Sequence, residues 1–99
     1  MMRFILCDDD REMLEVLKAY TQQWLSEHRL EAELLTFSSS TELLEQYVPR
    51  QEDIAVLDII MPGMNGLEVA KRLRTSNNDF SLIFLTSSKD FALPAYEVH

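Results

Sequence analysis

Short apolar runs alternate with stretches of helical periodicity along this chain. Phe4-Ile5-Leu6-Cys7 is a continuous apolar run that breaks off at Asp8-Asp9-Asp10, the form of a strand buried on both faces. From Glu12 to about Trp24, Met13, Leu14, Leu17, Tyr20 and Trp24 recur at steps of three and four, which predicts an amphipathic helix. Ala32, Leu34 and Thr36 alternate with Glu33, Leu35 and Phe37, a partly apolar second strand suited to a sheet edge. Ser39-Ser40-Thr41-Glu42 has the spacing of a capping box. It opens a short helix expected to bury Leu43, Leu44, Tyr47 and Val48 and to stop at Pro49. Ile54-Ala55-Val56-Leu57 predicts a third strand ending at Asp58. Asn65, with Glu68 three residues on, caps a helix expected to bury Leu67, Ala70 and Leu73. Leu82-Ile83-Phe84-Leu85 predicts a fourth strand ending at Thr86, and a last helix is expected from near Ser88.

Strand and helix in alternation imply an α/β fold, a doubly wound parallel sheet with helices on both faces. Residues 1–99 read as one domain. In such sheets the chemistry collects at the carboxyl ends of the strands. Here those ends carry Asp8, Asp9 and Asp10, then Asp58, then Thr86 and Ser87.

Composition narrows the class. Hydrophobic residues are 46% of the chain, too many for a disordered tail. A net charge of −8 argues against binding of nucleic acid or of an anionic membrane by this segment. No apolar run is long enough for a signal peptide or a membrane span. One cysteine, Cys7, excludes an internal disulfide framework and a four-cysteine zinc site. A cytoplasmic setting is expected.

Carboxylates gathered at neighbouring strand ends repel one another unless a cation intervenes. Magnesium suits that arrangement, because one or two carboxylates and a backbone carbonyl leave room for the waters it retains. It would also neutralise an incoming phosphoryl group. Asp10 has a plainer reading, as a cap on the first helix. Helix capping does not explain Asp58, an acid ending an apolar strand with Met61-Pro62 and Gly66 behind it. Met61 and Pro62 are expected to fix the path of that loop, and Gly63 and Gly66 to allow backbone angles other residues resist.

Leu6-Cys7-Asp8-Asp9-Asp10, then Asp58-Ile59-Ile60-Met61-Pro62-Gly63-Met64-Asn65-Gly66, then Leu85-Thr86-Ser87, resembles the receiver domain of two-component response regulators. The resemblance implies the flavodoxin-like strand order 2-1-3-4-5. It implies that Asp58 is the phosphoacceptor, taking a phosphoryl group from a sensor histidine kinase. Magnesium would be held by Asp9, by Asp8 through water, by Asp58 and by the backbone carbonyl of Ile60. Thr86 would then bind the phosphoryl group and act as the switch. Ile60, an apolar residue, offers no hydrogen bond to an attacking water, so slow hydrolysis of the acyl phosphate is expected.

The match departs from the family in two places. Receivers have a fifth strand ending in a lysine and then a fifth helix, and both are expected to be absent here, making residues 1–99 a receiver domain incomplete at its C-terminus. Lys89 reads as a solvated residue rather than a substitute for that lysine. Leu82–Leu85 would then be an open sheet edge, able to pair or swap with a second molecule, as could the last helix. Phe91–His99 resembles the fourth-helix segment of receivers joined to LytTR-type DNA-binding domains, although Pro94 should kink it. The effector, a transcriptional one, would lie in a longer parent chain.

A haloacid-dehalogenase-like magnesium-dependent phosphatase is the competing reading. It wants a second acid two residues after the nucleophile, where this chain has Ile60. A nucleotide-binding module needs a glycine-rich loop, and the only glycines are Gly63 and Gly66.

Overall fold

The computed structural model describes residues 2–75, 79–85 and 96–98, the last as backbone. The elements are β1 (Met2–Cys7), α1 (Arg11–Glu27), β2 (Ala32–Phe37), α2 (Ser40–Gln46), β3 (Ile54–Asp58), α3 (Gly66–Leu73), β4 (Ser81–Leu85) and β5 (Tyr96–Val98). Strands β2-β1-β3-β4 lie side by side in that order, all parallel. This is the doubly wound arrangement expected, with β2 at an edge.

The helix starts follow from side-chain oxygens that satisfy otherwise orphaned amides. Asp10 caps α1 by accepting from the N–H groups of Glu12 and Met13. Ser39 accepts from Glu42 N–H at the start of α2, and Asn65 accepts from Glu68 N–H at the start of α3.

Strand alternation sorts the core onto two faces. Ile5 and Cys7 on β1, Ala55 and Leu57 on β3, and Leu82 and Phe84 on β4 pack with Leu43, Val69, Ala70 and Leu73 from α2 and α3. Alternate residues Phe4, Ile54 and Ile83 face the other way. With Tyr20, Thr21 and Trp24 of α1 they line an apolar groove of about 380 Å³.

Several expectations need correction. On α1 the inward stripe is Leu14, Leu17, Lys18, Thr21 and Leu25, whereas Met13, Tyr20 and Trp24 are exposed. The helix carries apolar residues on more than one stripe, so spacing found the helix and its inward Leu14 and Leu17 but also picked out the exposed Met13, Tyr20 and Trp24. Val48 is 74% exposed, because α2 ends at Gln46 and the chain is extended by Tyr47. On α3 the buried residues are Val69, Ala70 and Leu73, and Leu67 lies at the rim.

The open edge on the fourth strand is also corrected. Tyr96–Val98 runs antiparallel to β4, pairing Leu82 with Val98, Ile83 with Glu97 and Phe84 with Tyr96. Unpaired backbone groups along Leu82–Phe84 demand partners. An antiparallel neighbour can supply them without the long crossover a parallel strand requires. Pairing or swapping of that edge with a second molecule therefore loses its basis. This strand contains no lysine and runs opposite to the fifth strand the resemblance implies. The expected helix near Ser88, together with Thr86, Ser87, Lys89 and Pro94, lies outside the described residues.

Candidate functional site

Strand register brings the acidic residues together. Cys7 pairs with Leu57 across β1 and β3, so the next residues, Asp8 just beyond β1 and Asp58 at the end of β3, stand side by side at one end of the sheet. Asp8, Asp9 and Asp58 each offer a carboxylate oxygen, and these atoms lie within 4.8 Å of one another. Asp8 is buried, Asp58 partly buried and Asp9 exposed. Asp10 stands apart, its carboxylate spent on capping α1.

The electrostatics carry the mark of that crowding. Burial, opposed by the Ile60 N–H and reinforced by the charges of Asp8 and Asp9, pushes the Asp58 carboxyl up to about 6. Burial likewise raises Asp8, against the hydrogen bond it accepts from Asp10 N–H at 2.9 Å. Asp58 and Asp8 are thus both costly to ionise where they stand, the condition a bound cation would relieve. The donors are all carboxylate oxygens, the hard ligands magnesium prefers, so the residues present fit that ion.

The loop after β3 is fixed from several sides. Ile60 N–H donates to Asp58 Oδ1 at 3.2 Å. Ile59 N–H donates to the Leu85 carbonyl at 3.0 Å, and Gly66 N–H donates to the Ile59 carbonyl at 2.9 Å. Gly63 has φ +77°, where glycine is favoured. Gly66 is needed for a different reason than the expected backbone freedom. A Cβ there would collide with the Asp58 carbonyl oxygen and lie 3.0 Å from Ile59 Cα. Met61 is buried behind the cluster, and Ile60 is 46% exposed.

Cys7 sits in the core beneath the acids, its thiol pushed up to about 12 by burial and then by Asp8. At the opposite end of the sheet, Arg3 and Asp53 form a buried pair. The guanidinium donates to both Asp53 oxygens at 3.0 and 2.6 Å, and Tyr47 Oη donates to Oδ2 at 2.7 Å. Sequence reading missed this network. Arg3 in an otherwise apolar strand was its one signal, and its partner lies fifty residues away.

The response regulator receiver domain family model matches residues 4–98. Response regulator MprA of Mycobacterium leprae is 35% identical over 86 residues, which cover 87% of this chain and 35% of that protein. An uncharacterized response regulatory protein of Yersinia pestis is 31% identical over 99 residues, the whole of this chain and 40% of the relative. The chain thus spans little more than a third of the length of these curated relatives. Among solved structures, response regulator TrrA of Thermotoga maritima in complex with Mg(2+)-BeF superposes with a TM-score of 0.75 at 32% identity, over 93% of this chain and 75% of that one. TrrA in complex with histidine kinase ThkA gives 0.72 at 31% identity, over 95% and 76%. These likenesses lend no support to the LytTR-type subgroup expected from Phe91–His99. They do not favour the phosphatase either, for the position two residues beyond Asp58 holds exposed Ile60. With the family model spanning nearly its whole length, the chain belongs to the response regulator receiver domain family.

Proposed function

We propose that this segment is the phosphoacceptor module of a two-component response regulator. Asp58 takes a phosphoryl group from a sensor histidine kinase and, in doing so, switches an effector in the same parent chain. The observation that carries the reading is the convergence of Asp8, Asp9 and Asp58 at adjacent strand ends. TrrA, similar in fold and sequence, binds Mg(2+)-BeF and a histidine kinase, which supports the same chemistry here.

Asp8, Asp9, Asp58 and the backbone carbonyl of Ile60 would hold magnesium, which when bound supplies positive charge against phosphoryl oxygens. The remaining work is positioning. Asp58 attacks phosphorus through a carboxylate oxygen, the bond from phosphorus to the donor's histidine nitrogen breaks, and an acyl phosphate forms. Ile60 N–H, already on Asp58 Oδ1, orients the carboxylate that attacks. Thr86, next in the chain after β4, would donate its hydroxyl to the phosphoryl group and convert the new charge into a conformational change. The effector is proposed to be of DNA-binding type, outside this acidic segment, and the setting cytoplasmic. Among the described residues no helix is long and apolar enough to cross a membrane.

Magnesium-dependent binding of beryllofluoride tests the assignment. Wild type should bind it only with magnesium, and Asp58→Asn should not bind it. Equal binding by both proteins would remove Asp58 from the role, and steady turnover of a phosphate ester would favour the phosphatase.

A further inference from the structure

The side chains after β3 alternate in direction: Ile59 and Met61 are buried, 3% and 6% exposed, and Ile60 between them points outward. The two buried side chains therefore flank Ile60, whose N–H donates to Asp58 Oδ1. Met61 Sδ lies 3.8 Å from Cys7 Sγ. Cys7 immediately precedes Asp8 and is paired in register with Leu57, which precedes Asp58. A closed path of neighbours thus runs beneath the cluster, from Asp8 through Cys7 and Met61 to Ile60 and Asp58. The Cys7 thiol is also 3.7 Å from the Ser39 carbonyl oxygen, which ties the β2–α2 turn to the same point.

We infer that Met61 is a positioning residue for the acidic cluster, acting through its buried contact with Cys7 and through the Ile60 amide. The inference deepens the magnesium reading above and rests on it. Met61 is packed in the core against Cys7, and a methionine's flexible side chain suits irregular packing, so shortening it leaves a void beneath the loop. Ile60 N–H then loses its fixed aim at Asp58, and the carboxylate oxygens lose their common geometry. Groups that orient metal ligands without touching the metal commonly change affinity by about tenfold or more when removed.

The test is an amide NMR titration with magnesium alone, together with hydrogen exchange at Ile60. Met61→Ala should weaken magnesium about tenfold and speed exchange of the Ile60 amide, whereas Met61→Leu, which nearly conserves volume, should restore both. Leu25→Ala, a core truncation at the far end of α1, should lower the melting temperature while leaving both readouts at wild-type values. Should Met61→Ala fail to fold, the milder Met61→Val carries the same comparison. Unchanged Ile60 exchange in folded Met61 variants would overturn the inference, as would an equal loss of affinity in Leu25→Ala. Failure of the wild type to bind magnesium would overturn the metal reading instead, and Ile60 exchange would still decide the role of Met61.

Discussion

Carboxylate oxygens of Asp8 and Asp58 come within 4.8 Å of one another at the ends of two strands that are neighbours in the sheet. Burial and mutual repulsion make the ionised pair costly, and Asp58 is raised to about 6 in consequence. A carboxyl raised on folding contributes stability that is full below its unfolded pKa, near 4. That contribution is lost as pH rises through the folded value of about 6. In metal-free buffer, Asp58→Asn should therefore melt higher than wild type at pH 7.5, with the gap closing by pH 5. Magnesium should stabilise wild type and leave the variant nearly unmoved. Thermal melts across that pH range, with and without magnesium, check both statements.

Asp53 has the opposite sign. Burial pushes its carboxyl up, but Arg3, Tyr47 and the Arg50 amide outweigh burial and hold it below the usual carboxylate range. Its contribution is present above the unfolded pKa and is lost as pH falls through the folded value. Removing one partner strands a buried charge, so Asp53→Ala should cost about 3 kcal/mol or more in chemical denaturation. Tyr47→Phe removes one hydrogen bond to the carboxylate and should cost about 1.5 kcal/mol. Because the pair lies at the other end of the sheet, Tyr47→Phe should keep the wild-type affinity for magnesium.

Gly66→Ala should be damaging at the site itself. The added Cβ collides with the Asp58 carbonyl oxygen, and backbone on both sides must move to admit it. Overpacking of this kind costs about 1–3 kcal/mol. Beryllofluoride binding should fall with it. Gly63→Ala has open space around its Cβ but a strained φ. It should lower stability and disturb binding less.

Ile60 is exposed beside the proposed phosphoryl site and has no side-chain hydrogen-bonding group. The acyl phosphate should persist for minutes or longer in purified protein. Ile60→Asn, able to hold a water, should shorten its lifetime. Decay of label from wild type within seconds, in the absence of any phosphatase, would contradict this.

Much of this was legible in the sequence because it is local. Three buried strands announce themselves as apolar runs, each helix start carries its cap, and the acids end strands that the parallel register then aligns. What escaped depends on distance or on competing signals. Arg3 and Asp53 are paired only because the fold makes β1 and the start of β3 neighbours. On α1, Lys18 and Thr21 occupy the inner stripe. Thr21 Oγ1 donates to the Leu17 carbonyl at 2.7 Å, so a polar residue sits where apolar spacing pointed elsewhere. Tyr96-Glu97-Val98 read as helix by resemblance, yet an unpaired β4 edge captures it as a strand.

Phosphoryl transfer itself gives the most direct check. Intact mass after incubation with acetyl phosphate and magnesium, followed by peptide mapping, should show one phosphoryl group on Asp58. The gain should vanish without magnesium and in Asp58→Asn. Incorporation at another residue, or undiminished incorporation in Asp58→Asn, would contradict the assignment of Asp58 as phosphoacceptor.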